Sequence, residues 1–224
     1  MKIGVLCAMQ KEYDLLYSKL HNRHMLANGI LSATTHENGG HGLYVMKCGI
    51  GKVNAALSAQ KLINYGVLNI ISVGVAGGAS TSVLVGDIVI GNSYCYHDVW
   101  CGEPNRNGQV QGFPAVFPSS FGKWLEKIKG DYVHLGTIAT GDWFVQTRKK
   151  MESILSYLPK EYNVLAVDME SAAIAQVCYN ENVPFMSVRV ISDNPLLPEQ
   201  HKQYDGFWDK MAEKSFDTLY NIIS

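Results

Sequence analysis

Apolar residues recur along this chain in two patterns, short β-rich runs and stretches of helical spacing, and their alternation sets the expected order of elements. Residues 2–7 (KIGVLC) predict a strand, and Met9, Tyr13, Leu16 and Leu20 fall at helical spacing over 9–20. Strands are expected at 30–36 and 43–48, the second ending in the turn Gly49-Ile50-Gly51. A helix over 52–65 would place Val53, Ala56, Leu57, Ala59 and Ile63 on its buried side. The continuous apolar run 68–75 predicts a strand covered on both faces, closed by Gly74, Gly77 and Gly78.

A strand is expected next at 83–90, then a long connection over 94–117 rich in Gly, Pro, Asn and aromatic residues. The rest reads as helix 118–129, strand 134–140, helix 148–157, strand 164–167, helix 169–179, strand 184–191 and a closing helix 204–222. Strands alternating with helices predict an α/β fold with a largely parallel sheet covered by helices. No repeat, low-complexity tract or linker interrupts the pattern, so residues 1–224 are expected to form a single domain.

Composition narrows the function. Only 17% of the 224 residues are charged, against about 25% in an average soluble domain, so there is ample apolar material to bury. A net charge of -1 gives no electrostatic footprint for nucleic acid or an acidic membrane as partner. The five cysteines are scattered without a C-x-x-C, and the seven histidines lack metal-ligand spacing, which argues against a disulfide framework and a zinc site. The first residues lack the features of a signal peptide, and no apolar stretch reaches the 18 or so residues of a membrane helix. A cytoplasmic location is the expectation.

Ligands of such sheets bind beyond the carboxyl ends of the strands, where three carboxylates fall. Glu12 shares a helix face with Met9 and Leu16, Glu170 opens a helix on the face of Ala173, Ile174 and Val177, and Asp193 follows Arg189 by four residues. Any one of them is explained by the helix dipole or a turn. Three at neighbouring strand ends are harder to explain, because a charge buried on an apolar face costs several kcal/mol unless paired or functional. There is no G-x-S-x-G, H-E-x-x-H or G-x-x-x-x-G-K-[ST] motif. Gly49-Ile50-Gly51-Lys52 begins like a dinucleotide fingerprint but lacks the third glycine, and His97-Asp98 reads as an interface or loop pair.

The segments IGVLCAMQKE (3–12), CGIGKVNAAL (48–57), GVAGG (74–78), VGDIVI (85–90), TGDWFV (140–145), VDMESAAIAQVC (167–178) and VPFMSVRVISD (183–193) run through the chain in order. Together they resemble the bacterial 5′-methylthioadenosine/S-adenosylhomocysteine nucleosidases of the nucleoside phosphorylase superfamily. The resemblance implies a three-layer α/β/α domain with a mixed central sheet and no metal or organic cofactor. It implies Asp193 as the acid that protonates adenine N7, Glu12 as base for the attacking water, Arg189 as a holder of that water, and Glu170 as the ribose ligand. It places Phe144 on the purine face, the Val145 backbone at the purine edge, and Met9, Ile50, Met169 and Tyr204 around the ribose and the 5′-alkylthio arm. It further implies a homodimer in which the loop 97–117 reaches the other subunit's site.

Two positions depart from the family pattern. Val75 stands where a hydroxyl residue is usual before the A-G-G turn, and Asp168 where bacterial members usually carry Glu. The rival readings are a phosphate-dependent nucleoside phosphorylase and a non-catalytic nucleoside-binding protein. Residues 8–10 (AMQ) provide no arginine and Val75 no hydroxyl for phosphate, so hydrolysis is the expected reaction.

Overall fold

The computed structural model describes residues 2–121, 130, 132–198, 203–210 and 212–223. Its strands are β1 (Lys2–Cys7), β2 (His21–Met25), β3 (Leu31–His36), β4 (Gly39–Lys47), β5 (Asn69–Gly78), β6 (Ile88–Tyr96), β7 (Phe117–Pro118), β8 (Val133–Thr140), β9 (Val164–Asp168) and β10 (Phe185–Asp193). The helices are α1 (Gln10–Lys19), α2 (Lys52–Asn64), α3 (Arg148–Tyr157), α4 (Ser171–Glu181), α5 (Gln203–Lys210) and α6 (Ala212–Ile223).

The strands form one mixed sheet in the order β10-β6-β8-β9-β5-β1-β4-β3-β2, with β7 paired to β6. An additional β10–β5 pairing closes β10, β6, β8, β9 and β5 into a ring, which a linear reading of strand order cannot foresee. β1 lies parallel to both β4 and β5, and β10 is parallel to β5. β6, β8 and β9 form a second parallel set. The two sets meet antiparallel where β5 and β9 end, at Gly77 opposite Val167 and Gly78 opposite Ala166. The carboxyl ends of both sets therefore converge on one place, and the candidate site lies there.

Period-2 alternation explains why both faces of the sheet are covered. Along β1, Ile3, Val5 and Cys7 enter a core with Leu16 of α1 and Phe207 of α5, while Leu6 enters the opposite core with Ala55, Ala59 and Leu62 of α2 and Ile174 of α4. Along β10, Met186, Val188 and Val190 face the first core, and Phe185 and Ile191 the second.

Several expectations shift. The strand expected at 83–90 begins at Ile88 and runs on to Tyr96, because Gly86 has a φ of +92° and Leu84 N–H binds the Asp87 carboxylate, turning the apolar run V-L-V into a loop. The polar edge strand β2 has no apolar alternation to announce it, since four of its five residues are exposed. In α2 the buried face is Ala55, Ser58, Ala59 and Leu62, while Val53 and Leu57 are 70% and 57% exposed, contrary to the expected face. Small residues let α2 lie close to α4, and the larger apolar ones form a second stripe. The helix expected at 118–129 falls from residue 122 onward outside the described residues, and its first position, Pro118, belongs to β7. The closing helix is described as α5 and α6, on either side of residue 211, itself outside the described residues.

Candidate active site

Glu12 is set by the start of α1. It lies in the first turn of that helix, and its Oε2 accepts the N–H groups of Ala8 (2.9 Å) and Met9 (2.8 Å). These are donors a helix start leaves without intrahelical partners. Its Oε1 accepts the Val75 N–H at 2.9 Å, which ties α1 to β5. The helix-start explanation of Glu12 is therefore correct, yet the residue also lines the cavity and is 2% exposed. Burial pushes its carboxyl group up, opposed first by Arg189 and then by the three N–H donors. Gly74 leaves it room, since a Cβ there would lie 2.5 Å from Glu12 Oε1.

Glu170 follows β9 as the residue capping α4 rather than lying inside the helix. It is buried, and its Oε1 accepts the N–H of Gly51 at 2.9 Å. Gly51 makes that approach with a φ of +95°, a conformation that favours glycine. Asp193 ends β10, is buried, and has one hydrogen-bond partner among the described residues, Ser192 Oγ at 2.8 Å from its Oδ1. Burial pushes the Asp193 carboxyl up, with the Ser192 hydroxyl opposing.

A cavity of about 380 Å³ joins these groups. Glu12, Glu170 and Asp193 line it together with Met9, Ile50, Phe144, Val145, Met169 and Tyr204, so every expected site residue except Arg189 reaches the wall. Phe144 and Tyr204 meet edge to face at 5.5 Å, and the Tyr204 hydroxyl lies 3.9 Å from Met9 Sδ. An apolar cleft of this size with a few convergent polar groups is the usual form of a small-molecule site.

Arg189 is placed differently from the expectation. Its guanidinium is fully buried behind the wall, with Nε donating to Asp168 Oδ2 at 2.9 Å and Nη2 to Ser72 Oγ at 2.9 Å. Nη2 also lies 3.8 Å from Glu170 Oε2. Asp168 is the partner that sequence reading missed. It accepts hydrogen bonds from Thr140 Oγ1 (2.5 Å), Ser171 Oγ, the Ser171 N–H and Arg189. The only signal in the sequence was its departure from the family's Glu. Trp143, half exposed at the cavity and 3.9 Å from Lys150 Nζ, was also missed.

Because Asp168 takes the close share of Arg189, burial and the Asp168 carboxylate push Glu170 up to about 8, against the pull of Arg189 and the Gly51 N–H. The unfolded chain would ionise Glu170 in the ordinary range near 4.3. With the folded value above the unfolded one, the stability linked to this group is complete below about pH 4 and is lost as pH rises toward 8. Glu170→Gln keeps an acceptor for Gly51 and removes the titration. It is expected to melt several degrees above the parent at pH 8, at about 2–4 °C per kcal/mol for a chain of this size, and close to it at about pH 4. Calorimetric Tm values at both pH values check this, and a difference that does not widen with pH contradicts it.

The family model described as the phosphorylase superfamily matches residues 2–224. The chain is 35% identical over 231 residues to the 5′-methylthioadenosine/S-adenosylhomocysteine nucleosidase of Bacillus subtilis, covering 100% of this chain and 98% of the relative. Its fold is similar to the Streptococcus pneumoniae enzyme of the same name, solved with the transition-state inhibitor MT-ImmA, with a TM-score of 0.86, 33% identity, and 99% and 98% of the two chains covered. The Neisseria meningitidis nucleosidase, solved with methylthio-immucillin-A, gives a TM-score of 0.84 at 30% identity over 99% and 98% of the chains.

Proposed function

Since the chain belongs to the phosphorylase superfamily, we propose that its cavity hydrolyses the N-glycosidic bond of 5′-methylthioadenosine and S-adenosylhomocysteine, releasing adenine and the 5-thioribose product. One observation carries the choice of hydrolysis over phosphorolysis. Glu12, Asp168, Glu170 and Asp193 line the cavity, and no Lys, Arg or His does among the described residues. A phosphate dianion would lose its hydration to face four carboxyl groups without a cation, whereas a water molecule bears no such cost. Val75 offers the cavity no hydroxyl, and its N–H is already given to Glu12.

In this reading Asp193 holds a proton, as its buried position favours, and donates it to adenine N7, so that adenine leaves neutral. The bond to C1′ breaks as the sugar becomes oxocarbenium-like. Glu12, held by three N–H donors and favoured as the carboxylate by the charge of Arg189, takes a proton from the water that attacks C1′. Glu170 binds the ribose hydroxyls, whose two O–H donors favour its carboxylate form, and that anion then opposes the positive sugar. Arg189 acts as a positioning residue, holding Asp168 and partly offsetting the charges of Glu12 and Glu170. Phe144 packs on the purine, Val145 reads its edge, and Met9, Ile50, Met169 and Tyr204 enclose the ribose and the 5′ arm. No residue of this scheme calls for a metal or organic cofactor.

A non-catalytic nucleoside binder gains little from burying three carboxyl groups, which is costly, so the catalytic reading is preferred. We read residues 1–224 as one domain, with a cytoplasmic role in methionine salvage and no nucleic acid or membrane partner. No described helix is long and apolar enough to cross a membrane. A homodimer would cover apolar side chains that the single chain leaves exposed, Val53 and Leu57 on α2, Tyr179 on α4 and Trp100 in the 97–117 segment. Apolar surface of this kind on a single chain marks a protein contact. The test of the reaction is adenine release from 5′-methylthioadenosine as phosphate is titrated in. The rate should be indifferent to phosphate, and a rate that requires it, with a sugar 1-phosphate as product, overturns hydrolysis.

A further inference from the structure

Lys52, which closes the turn Gly49-Ile50-Gly51-Lys52, and Asp98 of the pair His97-Asp98 have no part in the reaction scheme, and they come together outside the cavity. Asp98 Oδ2 accepts the Lys52 ammonium at 2.7 Å and the Asp142 N–H at 2.9 Å. Asp142 Oδ1 in turn accepts the Lys52 N–H at the start of α2, at 2.8 Å, and its other oxygen lies 4.0 Å from Lys52 Nζ. The ammonium also sits 5.5 Å from the centre of the Tyr96 ring. One lysine is thus bound through both its backbone and its side chain to two aspartates from two other segments.

Those segments carry opposite walls of the cavity. Lys52 directly follows Ile50, which lines the cavity, and Gly51, whose N–H holds Glu170. Asp142 directly precedes Trp143, Phe144 and Val145, all on the cavity wall. None of Lys52, Asp98 and Asp142 lines the cavity. We propose that Lys52, Asp98 and Asp142 form a positioning latch that fixes the purine loop 142–145 against the glycine turn holding Glu170, so that purine and ribose are gripped in register. The proposal rests on the nucleoside-hydrolase reading above and names residues that set how tightly the same site closes on its substrate.

Because the latch touches neither the proton donor nor the water, its loss should weaken binding before it slows chemistry. Asp98→Ala removes the acceptor of two hydrogen bonds from a partly exposed cluster, whose side chains are 24%, 29% and 47% exposed for Lys52, Asp98 and Asp142. KM for 5′-methylthioadenosine is expected to rise about tenfold with kcat within about threefold of the parent, and the dissociation constant of free adenine to rise with it. Asp98→Asn keeps an oxygen acceptor and should recover most of the affinity, a rescue that a general loss of folded protein would not produce. Lys52→Met should raise KM in the same direction. Failure of the parent protein to release adenine would sink the hydrolase reading, and adenine titration by calorimetry then still tests the latch. Parent activity with an Asp98→Ala KM and adenine affinity within twofold of the parent, or a fall in kcat at unchanged KM, overturns the latch alone.

Discussion

Asp193→Asn is expected to lower the rate of adenine release by at least about 10²-fold, within the 10²–10⁴-fold range of a positioned general acid. The substitution is close to isosteric, and the amide oxygen can still accept the Ser192 hydroxyl that bonds Asp193 Oδ1. Folding and nucleoside binding should therefore survive, and calorimetric titration with 5′-methylthioadenosine checks that they do. The pH profile gives a second, independent signature. Burial raises the Asp193 carboxyl above its ordinary value, so its active acid form persists at higher pH and is lost as pH rises through that raised value. The alkaline limb of kcat assigned to Asp193 should be absent from the variant. A riboside whose leaving group is already a stable anion needs no acid, and its hydrolysis should fall far less. Turnover of 5′-methylthioadenosine by Asp193→Asn at the parent rate contradicts the assignment.

Glu12→Gln should cost about 10²–10⁴-fold in kcat with little change in KM, since the amide cannot take a proton from water. The acid side of the profile follows from the same group. Glu12 works as the carboxylate, its value is raised by burial, and activity is lost as pH falls through that value. The structural cost is specific as well. Three N–H groups point at the two oxygens of Glu12, so one end of a Gln amide must turn its NH₂ toward a donor, leaving a buried donor unpaired at about 1–3 kcal/mol. A lower Tm is expected, so kcat is to be compared well below it. Added azide, a nucleophile that needs no base, should restore part of the adenine release. A variant that keeps kcat within about tenfold of the parent, or that azide does not accelerate, contradicts the role of Glu12 as base.

Which parts of this arrangement could be read from the sequence follows from how local their causes are. α3 matches its expected bounds because its apolar period and its cap, Thr147 Oγ1 accepting the Lys150 N–H, are both local. Glu12 stands out because it breaks an apolar helix face, Glu170 because it stands at the head of one, and Asp193 because it ends a run of buried residues. Asp168 does not stand out in this way. Its importance comes from Thr140, Ser171 and Arg189, which meet it from different strands and a helix only in the folded chain. The closure of the sheet through β10–β5 is likewise a long-range event without a local signal. Val53 and Leu57 misled because apolar spacing marks a face to be covered without saying whether the cover is this chain or another.

The account turns on water as the nucleophile at C1′. Single-turnover reaction of 5′-methylthioadenosine in phosphate-free buffer made with heavy-oxygen water, followed by mass spectrometry of the sugar, tests this directly, provided the sugar is trapped before its anomeric oxygen exchanges. The account predicts stoichiometric adenine and a free methylthioribose carrying one heavy oxygen. An unlabelled sugar, or no adenine until phosphate is added, would contradict it.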